Sequence, residues 1–452
     1  MRVFFATSPF FRTTDTRSVH YFESLPGIFL LSEILRSKEC EVEIELNLDV
    51  KLAESPQELV QRALHADFIC LSASSFSWGY VRDFLTLLSP DSYPPILLGG
   101  VHPTLVPDYL VRTSPVDLTV AIGEGEETIV EYLEYLQSKR ERKSIKGICY
   151  QENGQIIMTE KRPLFNTKEL GQIPPIRWDD YPDKIRFLAV QTSRGCLMNC
   201  AFCSIPFRNS WRPFPLHHIL SSLELGLEKM SGDGLQSVVF ADDCFTADMA
   251  IASNILKAVK EKFPNVRLNL EARVRDLLRP GFLEKIKESP SQVIQVGVEC
   301  GYNDGLRKIR KGLNIEDVKE LCIRANELGI GHRIRYSYII GFPWEQVDEI
   351  KATIDFAYRI VTKYDGIIQI NWWIVVPGNS LFQSTVDKYG IDESIFDHAE
   401  WSVSEDIFFQ THPWLTVDLV NYFKEYANLL KLINSHIPAI GSVFSGPWKI
   451  QD

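Results

Sequence analysis

The sequence lacks two features that would direct it to a membrane or to nucleic acid. No apolar run approaches the roughly 20 residues that a membrane-spanning helix needs. Positive charge is in the minority, with 48 Lys and Arg against 59 Asp and Glu and a net charge of −11. Nucleic acid and anionic membranes both require basic surface. We therefore expect neither as the main partner and predict a small-molecule substrate.

Cysteine is also scarce. The chain has nine cysteines in 452 residues, an odd number, and six of them are scattered. That pattern argues against a disulfide-bonded secreted protein. The first residues, Met1 to Ala6, are too short an apolar run for a signal peptide. Both observations predict a protein of the reducing cytoplasm.

Residues 1–140 alternate short strands with helices. The predicted strands cover residues 2–6, 42–46, 66–73, 95–98 and 118–122. Such alternation is typical of a parallel sheet with helices on both faces, so we predict an α/β fold that begins with a doubly wound, Rossmann-like domain. Ligands of these sheets bind beyond the carboxyl ends of the strands.

A second alternating region follows a connecting segment. Residues 141–185 combine a predicted hairpin at 147–159 with a proline-containing linker. Residues 186–385 contain six strand–helix units, which predict a partial (β/α)6 barrel of the TIM type. Its predicted strands cover residues 187–191, 236–240, 267–271, 293–298, 335–340 and 367–372. Residues 386–452 carry a helical pattern and many aromatic residues, so we predict a small helical C-terminal cap.

Three cysteines come directly after the first predicted barrel strand. Cys196, Cys200 and Cys203 have C-x3-C-x2-C spacing, and three thiolates so close in sequence can ligate one iron–sulfur cluster. A [4Fe–4S] cluster normally takes four cysteines, so one iron would be open to a small molecule. The alternative is zinc with His217 or His218 as fourth ligand, although the paired C-x2-C units of most zinc sites are missing from the sequence.

Segments before and after these cysteines complete a family pattern. The cysteines, with Phe202 before the third, resemble the cluster loop of the radical S-adenosylmethionine (radical SAM) superfamily. Residues 97–104 (LLGGVHPT) and 121–126 (AIGEGE) are similar to the cobalamin-binding domain that precedes the barrel in one large branch. Segments that resemble the later strand ends of that branch follow in order, at residues 240–246, 297–301, 311–312, 340–345 and 377–382. The chain therefore resembles a cobalamin-dependent radical SAM enzyme over nearly its whole length.

The resemblance implies three cofactors: a [4Fe–4S] cluster on Cys196, Cys200 and Cys203, S-adenosylmethionine on its open iron, and cobalamin. One electron would cleave S-adenosylmethionine to a 5′-deoxyadenosyl radical, which takes a hydrogen atom from the substrate. That electron would come from an external donor such as flavodoxin or ferredoxin. The protein itself would orient S-adenosylmethionine and the substrate and exclude water from them.

The resemblance also assigns residues to S-adenosylmethionine. Glu299 would bind its ribose or amine, and the alternative is a solvated carboxylate at a strand end. Asp242 and Asp243 would approach its sulfonium or amine, or else cap the following helix. Gly341 and Pro343 would shape the adenine pocket, or else form a plain tight turn.

Cobalamin would bind at the strand ends of the first domain. The candidates are Ser72, Ser74, Ser75, Gly99, Gly100, His102, Thr104, Gly123 and Glu124. Small hydroxyl side chains suit amide and phosphate groups, and glycine lets a bulky ligand approach the backbone. The alternative is a set of ordinary loops in a domain that only packs on the barrel. The Asp-x-His-x-x-Gly loop of some cobalamin enzymes has no counterpart at residues 7–13, so no axial ligand is assigned.

The leading hypothesis is a methyltransferase that acts on an unactivated carbon of a small metabolite or natural-product intermediate. Methylcobalamin would supply the methyl group to the substrate, and a second S-adenosylmethionine would then remethylate the cobalamin. The first alternative is a radical enzyme that does not methylate, such as a cyclase or rearrangement enzyme. The second is a non-catalytic carrier of cobalamin or of a cluster, which a sealed barrel mouth would favour.

Overall fold

The computed structural model describes residues 1–8, 26–51, 53, 55–88, 92–179, 187–230, 235–399, 401–433 and 440–445. Most of the loop compared above with the axial-histidine motif lies outside these ranges. So do residues 180–186 of the predicted linker, and residues 434–439 and 446–452 of the predicted cap.

The strands and helices are numbered in chain order. Strands β1 to β16 are Arg2–Thr7, Glu41–Glu45, Phe68–Ser72, Ile96–Gly99, Thr119–Ala121, Ile148–Glu152, Gln155–Met158, Phe187–Val190, Ser193–Arg194, Arg212–Pro213, Gln236–Phe240, Val266–Ala272, Ser291–Glu299, Ile334–Ile340, Ile367–Trp372 and Ile440–Ser445. Helices α1 to α17 are Pro26–Ser37, Pro56–Leu64, Trp78–Thr86, Val101–Leu105, Pro107–Thr113, Glu126–Leu136, Thr167–Leu170, Leu216–Glu228, Met249–Lys262, Val274–Leu277, Phe282–Glu288, Asn303–Lys308, Ile315–Glu327, Val347–Lys363, Ser380–Tyr389, Glu405–Thr411 and Val417–Ile433.

The first sheet has the strand order β2-β1-β3-β4-β5-β6-β7. The strands from β1 to β5 are parallel, and helices connect them in sequence. Strand β3 is buried from Phe68 to Leu71, as expected of an apolar strand inside a parallel sheet. This arrangement confirms the predicted doubly wound fold.

The predicted hairpin extends this first sheet. Strand β6 pairs antiparallel with β5, and β7 pairs antiparallel with β6. The turn residues Asn153 and Gly154 have φ of 50° and 77°, the left-handed values of a two-residue hairpin turn. The sequence predicts the hairpin and its turn, whereas its pairing with β5 is a long-range contact that no local pattern marks.

The second sheet is parallel throughout, with the order β8-β11-β12-β13-β14-β15-β16. Six of these strands, β8 and β11 to β15, are those predicted for the partial TIM-like barrel, which is confirmed. Strand β16 adds a further parallel strand within the predicted helical cap. Along β14, fully buried residues alternate with half-buried ones, so one face packs on helices and the other lines the barrel interior.

The C-terminal helices pack on the end of β15. The Trp372 ring makes an edge contact with Phe408 on α16, with 5.8 Å between ring centroids. The segment before α16 contacts the first domain, where Asp397 accepts hydrogen bonds from Trp78 Nε1 at 2.7 Å and from Tyr109 OH at 2.8 Å. Within the described ranges, no helix combines the length and the apolar character that crossing a bilayer requires.

Candidate active site between the two sheets

A short hairpin folds back the loop that carries the three cysteines. Strands β9 and β10 pair antiparallel on either side of that loop. Gly195 has a φ of +81°, and a Cβ at this position would collide with the carbonyl oxygens of Phe207 and Ser210. The residue before the first cysteine must therefore be glycine.

The three cysteine thiols lie in one short loop and are largely removed from solvent. Cys196 and Cys200 are 9% and 8% exposed, and Cys203 is half-buried. Burial raises the pKa of Cys200 and raises the pKa of Cys203 to about 11, and negative charge on neighbouring thiols adds to both effects. A hydrogen bond with the Cys244 thiol lowers the pKa of Cys196 to about 6. Thiolates that repel one another in this way are stabilised by a positively charged metal group that all three ligate.

The donor set of this loop suits an iron–sulfur cluster, since three thiols lie within one short segment. Among the described residues, no three His, Cys, Asp or Glu side chains lie close enough to hold one ion. The sulfur ligands of a zinc ion all lie about 2.3 Å from it, whereas those of a four-iron cluster are spread over several metal atoms. The His218 of the zinc alternative contacts the carbonyl oxygen of Ile173 through Nε2 at 3.0 Å. The residues present therefore fit the predicted cluster.

Asp242 and Asp243 fix the backbone that leads into the cysteines. The buried Asp242 carboxylate accepts hydrogen bonds from two backbone N–H groups, both at 2.7 Å, and from Thr192 Oγ1. Asp243 Oδ2 accepts a hydrogen bond from the Gly195 N–H at 2.9 Å. Burial raises the pKa of Asp242 to about 7. The alternative role of capping the next helix belongs instead to Asp248, which caps α9.

Glu299 ends β13 in a strained backbone conformation. Its φ is +73°, in the left-handed region that residues other than glycine rarely adopt. Glu299 is only 6% exposed, and its carboxylate accepts a hydrogen bond from Lys311 Nζ at 2.6 Å. Burial acts to lower the pKa of Lys311, but the negative charges of Glu299 and Cys200 raise it above its ordinary value. The solvated alternative for Glu299 is therefore wrong, and Lys311 is a site residue whose role the sequence did not reveal.

The turn after β14 is built around Glu345. Its carboxylate accepts hydrogen bonds from the N–H groups of Gly341 at 2.7 Å and Phe342 at 3.0 Å, and from Tyr302 OH at 2.9 Å. Gly341 has a φ of +84°, and a Cβ there would lie 2.7 Å from the indole ring that ends β15. Pro343 is half-buried in the same turn. The tight-turn alternative therefore accounts for Gly341.

A cavity of about 620 Å³ lies between the first sheet and the cysteine loop. One side is formed at the carboxyl ends of β1, β3, β4 and β5. The other side is formed by Arg194, residues 204–207 and Asp243, all next to the cysteines. A bulky ligand can therefore lie where the strand ends of one sheet face the loop of the other.

Small residues line the first-sheet side of this cavity. The predicted cobalamin residues found there are Ser72, Ser74, Ser75, Gly99, Gly100, Gly123 and Glu124. A Cβ at Gly99 would have its nearest contact at 3.8 Å and one at Gly123 at 4.0 Å, so both glycines leave open space. Ser8 Oγ lines the same cavity and is buried with no hydrogen-bond partner among the described residues. Open space and an unpartnered hydroxyl fit a large polar ligand such as cobalamin.

His102 and Thr104 lie behind this lining. His102 is fully buried, its Nδ1 is 3.0 Å from Ser75 Oγ, and burial lowers its pKa to about 3. Thr104 Oγ1 donates a hydrogen bond to the Gly100 carbonyl at 2.8 Å and accepts one from the Gly123 N–H at 3.0 Å. Each side chain therefore holds a lining residue in place.

Glu124 has partners that the sequence did not reveal. Its side chain is 3% exposed and accepts hydrogen bonds at 2.9 Å from Arg194 on β9 and from Arg212 on β10. Arg194 also pairs with Glu126 at 2.5 Å. These buried ion pairs join the first domain to the barrel directly beside the first cysteine. No local pattern marks them, because 70 residues separate Arg194 from Glu124.

Glu271 is a further residue that the sequence did not single out. It lies on β12, where its side chain is accessible to solvent yet surrounded by protein, as expected of a group in the barrel interior. Gln295 Nε2 on the adjacent strand donates a hydrogen bond to Glu271 Oε1 at 3.1 Å. The surrounding protein limits hydration of the Glu271 carboxylate and raises its pKa to about 7, and the charge of Glu299 adds to the shift. The polar positions that alternate with leucines along β12 are the signal that could have found it.

A comparison with protein families gives a match over the barrel. Residues 190–357 match the model of the radical SAM superfamily. The matched range begins at the end of β8. It contains the three cysteines together with Asp242, Asp243, Glu299 and Glu345. The chain therefore carries a radical SAM domain, as the motifs predicted.

Two curated relatives extend the similarity beyond the barrel. The chain is 30% identical over 315 residues to an uncharacterized methyltransferase of Pyrococcus horikoshii, covering 65% of this chain and 66% of that protein. It is 24% identical over 373 residues to the anaerobic magnesium-protoporphyrin IX monomethyl ester cyclase of Cereibacter sphaeroides, covering 78% of this chain and 57% of that protein. The chain thus spans between 57% and 66% of the length of these relatives.

Two solved structures share the fold. One is the radical SAM methyltransferase TsrM of Kitasatospora setae with cobalamin and a [4Fe–4S] cluster bound, with a TM-score of 0.66 at 15% identity, covering 86% of this chain and 75% of that chain. The other is the cobalamin-dependent S-adenosylmethionine radical enzyme OxsB with aqua-cobalamin bound, with a TM-score of 0.63 at 20% identity, covering 79% and 52%. At these identities the likeness concerns the fold, and the predicted fold is confirmed.

Proposed function

Because residues 190–357 belong to the radical SAM superfamily, we propose that this chain is a cobalamin-dependent radical SAM methyltransferase. Its substrate is a small metabolite or natural-product intermediate, methylated at an unactivated carbon. The similarity to a methyltransferase of Pyrococcus horikoshii and the fold shared with TsrM support this proposal.

One observation carries the proposal. The cavity of about 620 Å³ has strand ends rich in glycine and serine on one side and the cysteine loop on the other. Two cofactors that act on one substrate must face each other across such a space. A non-catalytic carrier would be expected to have a sealed barrel mouth, and this cavity argues against that alternative.

When bound, the cluster supplies an electron to S-adenosylmethionine, and cobalamin supplies the methyl group. The chain orients these groups: Cys196, Cys200 and Cys203 are the cluster ligands, fixed by the hydrogen bonds of the neighbouring loop. Lys311, which is paired with Glu299 at 2.6 Å, would offer a positive charge to the carboxylate of S-adenosylmethionine. Glu299 would accept a hydrogen bond from the ribose or amine of S-adenosylmethionine. Burial of these residues keeps water from the reacting groups.

The radical step is tested without knowledge of the substrate. The protein is reconstituted with iron and sulfide in the absence of oxygen and given S-adenosylmethionine and a chemical reductant. We expect 5′-deoxyadenosine from the wild-type protein and none above background from Cys200→Ala. Cys322→Ala is the matched control, since this buried cysteine lies on α13, outside the cysteine loop. Equal product from the wild type and Cys200→Ala contradicts the proposal.

The cobalamin step has its own readout. Protein loaded with reduced cobalamin is incubated with S-adenosylmethionine carrying a labelled methyl group, and the bound cobalamin is examined by absorbance and mass spectrometry. We expect retention of cobalamin through gel filtration and transfer of the label to it. A protein that retains no cobalamin and transfers no label contradicts the methyltransferase proposal while leaving the radical step intact.

A cyclase that does not methylate is the second candidate. The similarity to the Cereibacter sphaeroides cyclase covers 78% of this chain, a larger share than the 65% covered by the methyltransferase of Pyrococcus horikoshii. A product that contains no label from the methyl group of S-adenosylmethionine distinguishes this class from the first.

A further inference from the structure

The cysteine loop has an outer face that lies away from the cavity. Leu197, between the first two cysteines, is 49% exposed, and Asn199 is also exposed. The loop is tied on this side to the end of α12, since the Ala201 N–H donates a hydrogen bond to the Ile309 carbonyl at 2.9 Å. A polar cleft of about 400 Å³ adjoins it, with Asn199, Arg208 and Arg310 in its lining. The surface above the buried thiols is therefore open to solvent.

The segment that adjoins this outer face is rich in basic side chains, and Glu393 is the carboxylate in the lining of the cleft. Residues 303–312 contain four Lys or Arg and a single carboxylate, Asp304, in a chain whose net charge is −11. Arg307 and Lys308 share Asp304, at 2.8 and 2.9 Å, and their side chains are 73% and 43% exposed. Arg310 is exposed and contacts Ser380. This segment is thus positively charged in a chain that is negative as a whole.

Arg208 joins this basic group from the cysteine loop itself. Its Nη1 donates a hydrogen bond to the Cys203 carbonyl at 3.0 Å. An exposed apolar residue on the cysteine loop, next to a basic segment, has the composition of a transient docking surface. We define the donor face as Leu197, Asn199, Arg208, Arg307, Lys308 and Arg310.

We propose that the donor face is where a small acidic electron-carrier protein docks to reduce the group held by the three cysteines. The inference rests on the proposed function, which requires one electron for each cleavage of S-adenosylmethionine. In the step, the carrier loses one electron and the cysteine-bound group gains it, with no bond made or broken. The opposite side of the loop faces the cavity, so the carrier can approach without entering the space for cobalamin and substrate.

The test compares two reductants on the full reconstituted protein. A reduced acidic flavodoxin depends on docking, whereas dithionite is a small molecule that does not. The variant Arg307→Glu/Arg310→Glu reverses two charges of the donor face. The matched control Lys257→Glu/Lys260→Glu makes the same change in net charge on exposed residues of α9, outside the cysteine loop. Iron content and the rate of 5′-deoxyadenosine formation are measured for all three proteins.

We expect the flavodoxin-driven rate of Arg307→Glu/Arg310→Glu to fall at least about 10-fold at low ionic strength, because attraction between opposite charges accelerates such encounters. The dithionite-driven rate should stay within about twofold of wild type. Added salt should slow the wild-type reaction with flavodoxin and reduce its advantage over the variant, because it screens exposed charges. The control variant should match wild type with both reductants.

Two results overturn the proposal and are distinguishable. Equal flavodoxin-driven rates for wild type and Arg307→Glu/Arg310→Glu, or an equal fall in the control variant, overturn the docking surface alone. No 5′-deoxyadenosine from wild type with dithionite overturns the proposed function, and the docking inference with it.

Discussion

The two sides of the central cavity are made of different kinds of residue. The side from the first sheet includes many serine, alanine and glycine residues, whose small side chains leave space. The side from the barrel carries the charged groups Arg194 and Asp243, each held by specific hydrogen bonds, next to the cysteine loop. The first side therefore depends on the small size of its side chains, and the second depends on charge and hydrogen bonding. Substitutions should damage the two sides through different physical effects.

The largest effect is expected where the two sides are joined. Arg194→Ala leaves the buried carboxylates Glu124 and Glu126 without this cation, so the free energy of unfolding should fall by about 3–5 kcal/mol. The measurement is urea unfolding. Arg112→Ala removes an exposed pair with Asp108 and should cost below about 1 kcal/mol. Equal losses for the two variants would show that the buried pairs do not hold the two sides together.

In the barrel, stability should depend on pH through Glu345, in the turn after β14. Burial raises the pKa of this carboxyl to about 7 from an ordinary value of 4.5, so the folded state keeps the proton longer than the unfolded state. The resulting stabilisation is complete below pH 4.5 and is lost as pH rises to about 7.

Glu345→Gln cannot ionise and retains most hydrogen-bonding capacity. Between pH 4.5 and pH 8, its unfolding free energy relative to wild type should therefore rise by on the order of 2 kcal/mol. Parallel pH profiles for the two proteins would contradict this assignment. The comparison uses the difference between the two proteins, so other titrating groups cancel.

On the side formed by the first sheet, Gly99→Leu should fill part of the cavity. We expect the cobalamin retained after gel filtration to fall at least about 10-fold, since overpacking of this kind costs about 1–3 kcal/mol. Iron content should not change, because the cysteines lie on the other side. Gly99→Ala is the matched control, since its Cβ has no contact closer than 3.8 Å. Cobalamin retention by Gly99→Leu at the wild-type level would show that the ligand lies elsewhere.

The smallest effect is expected at Thr104, which supports the same side from behind. Thr104→Val removes the hydrogen bonds to Gly100 and Gly123, and unfolding free energy should fall by about 1 kcal/mol. Thr104→Ser keeps the hydroxyl and should lie close to wild type. Both are measured by thermal and urea unfolding, and a loss in Thr104→Ser as large as in Thr104→Val would assign the effect to packing.

Local patterns predicted the fold because its elements are local. Alternating apolar residues marked the strands of both sheets, and Asn153-Gly154 marked the hairpin turn. The cysteine spacing predicted the cluster loop for the same reason, since the three predicted ligands lie within one short segment.

Contacts between distant segments could not be predicted. The partner of Arg194 lies 70 residues away, and the pairing of β6 with β5 joins two segments of different predicted domains. His102 belongs to a segment that resembles a cofactor-binding loop, but its burial behind Ser75 depends on the packing of the whole domain. The residue types in the sequence were enough to predict candidates for cobalamin binding. Which of them line the cavity and which lie behind it depends on tertiary packing.

Arg194 lies two residues before Cys196 and is bound to carboxylates of the first domain. Ligation at the cysteines and closure of the two domains are therefore linked equilibria, since each restricts the same short stretch of backbone. A group bound to the cysteine loop should make the ion pairs between Arg194 and the first domain harder to break. Breaking those ion pairs should weaken binding of that group by the same factor. A single arginine can thus make the assembly of one half of the site depend on the presence of the other.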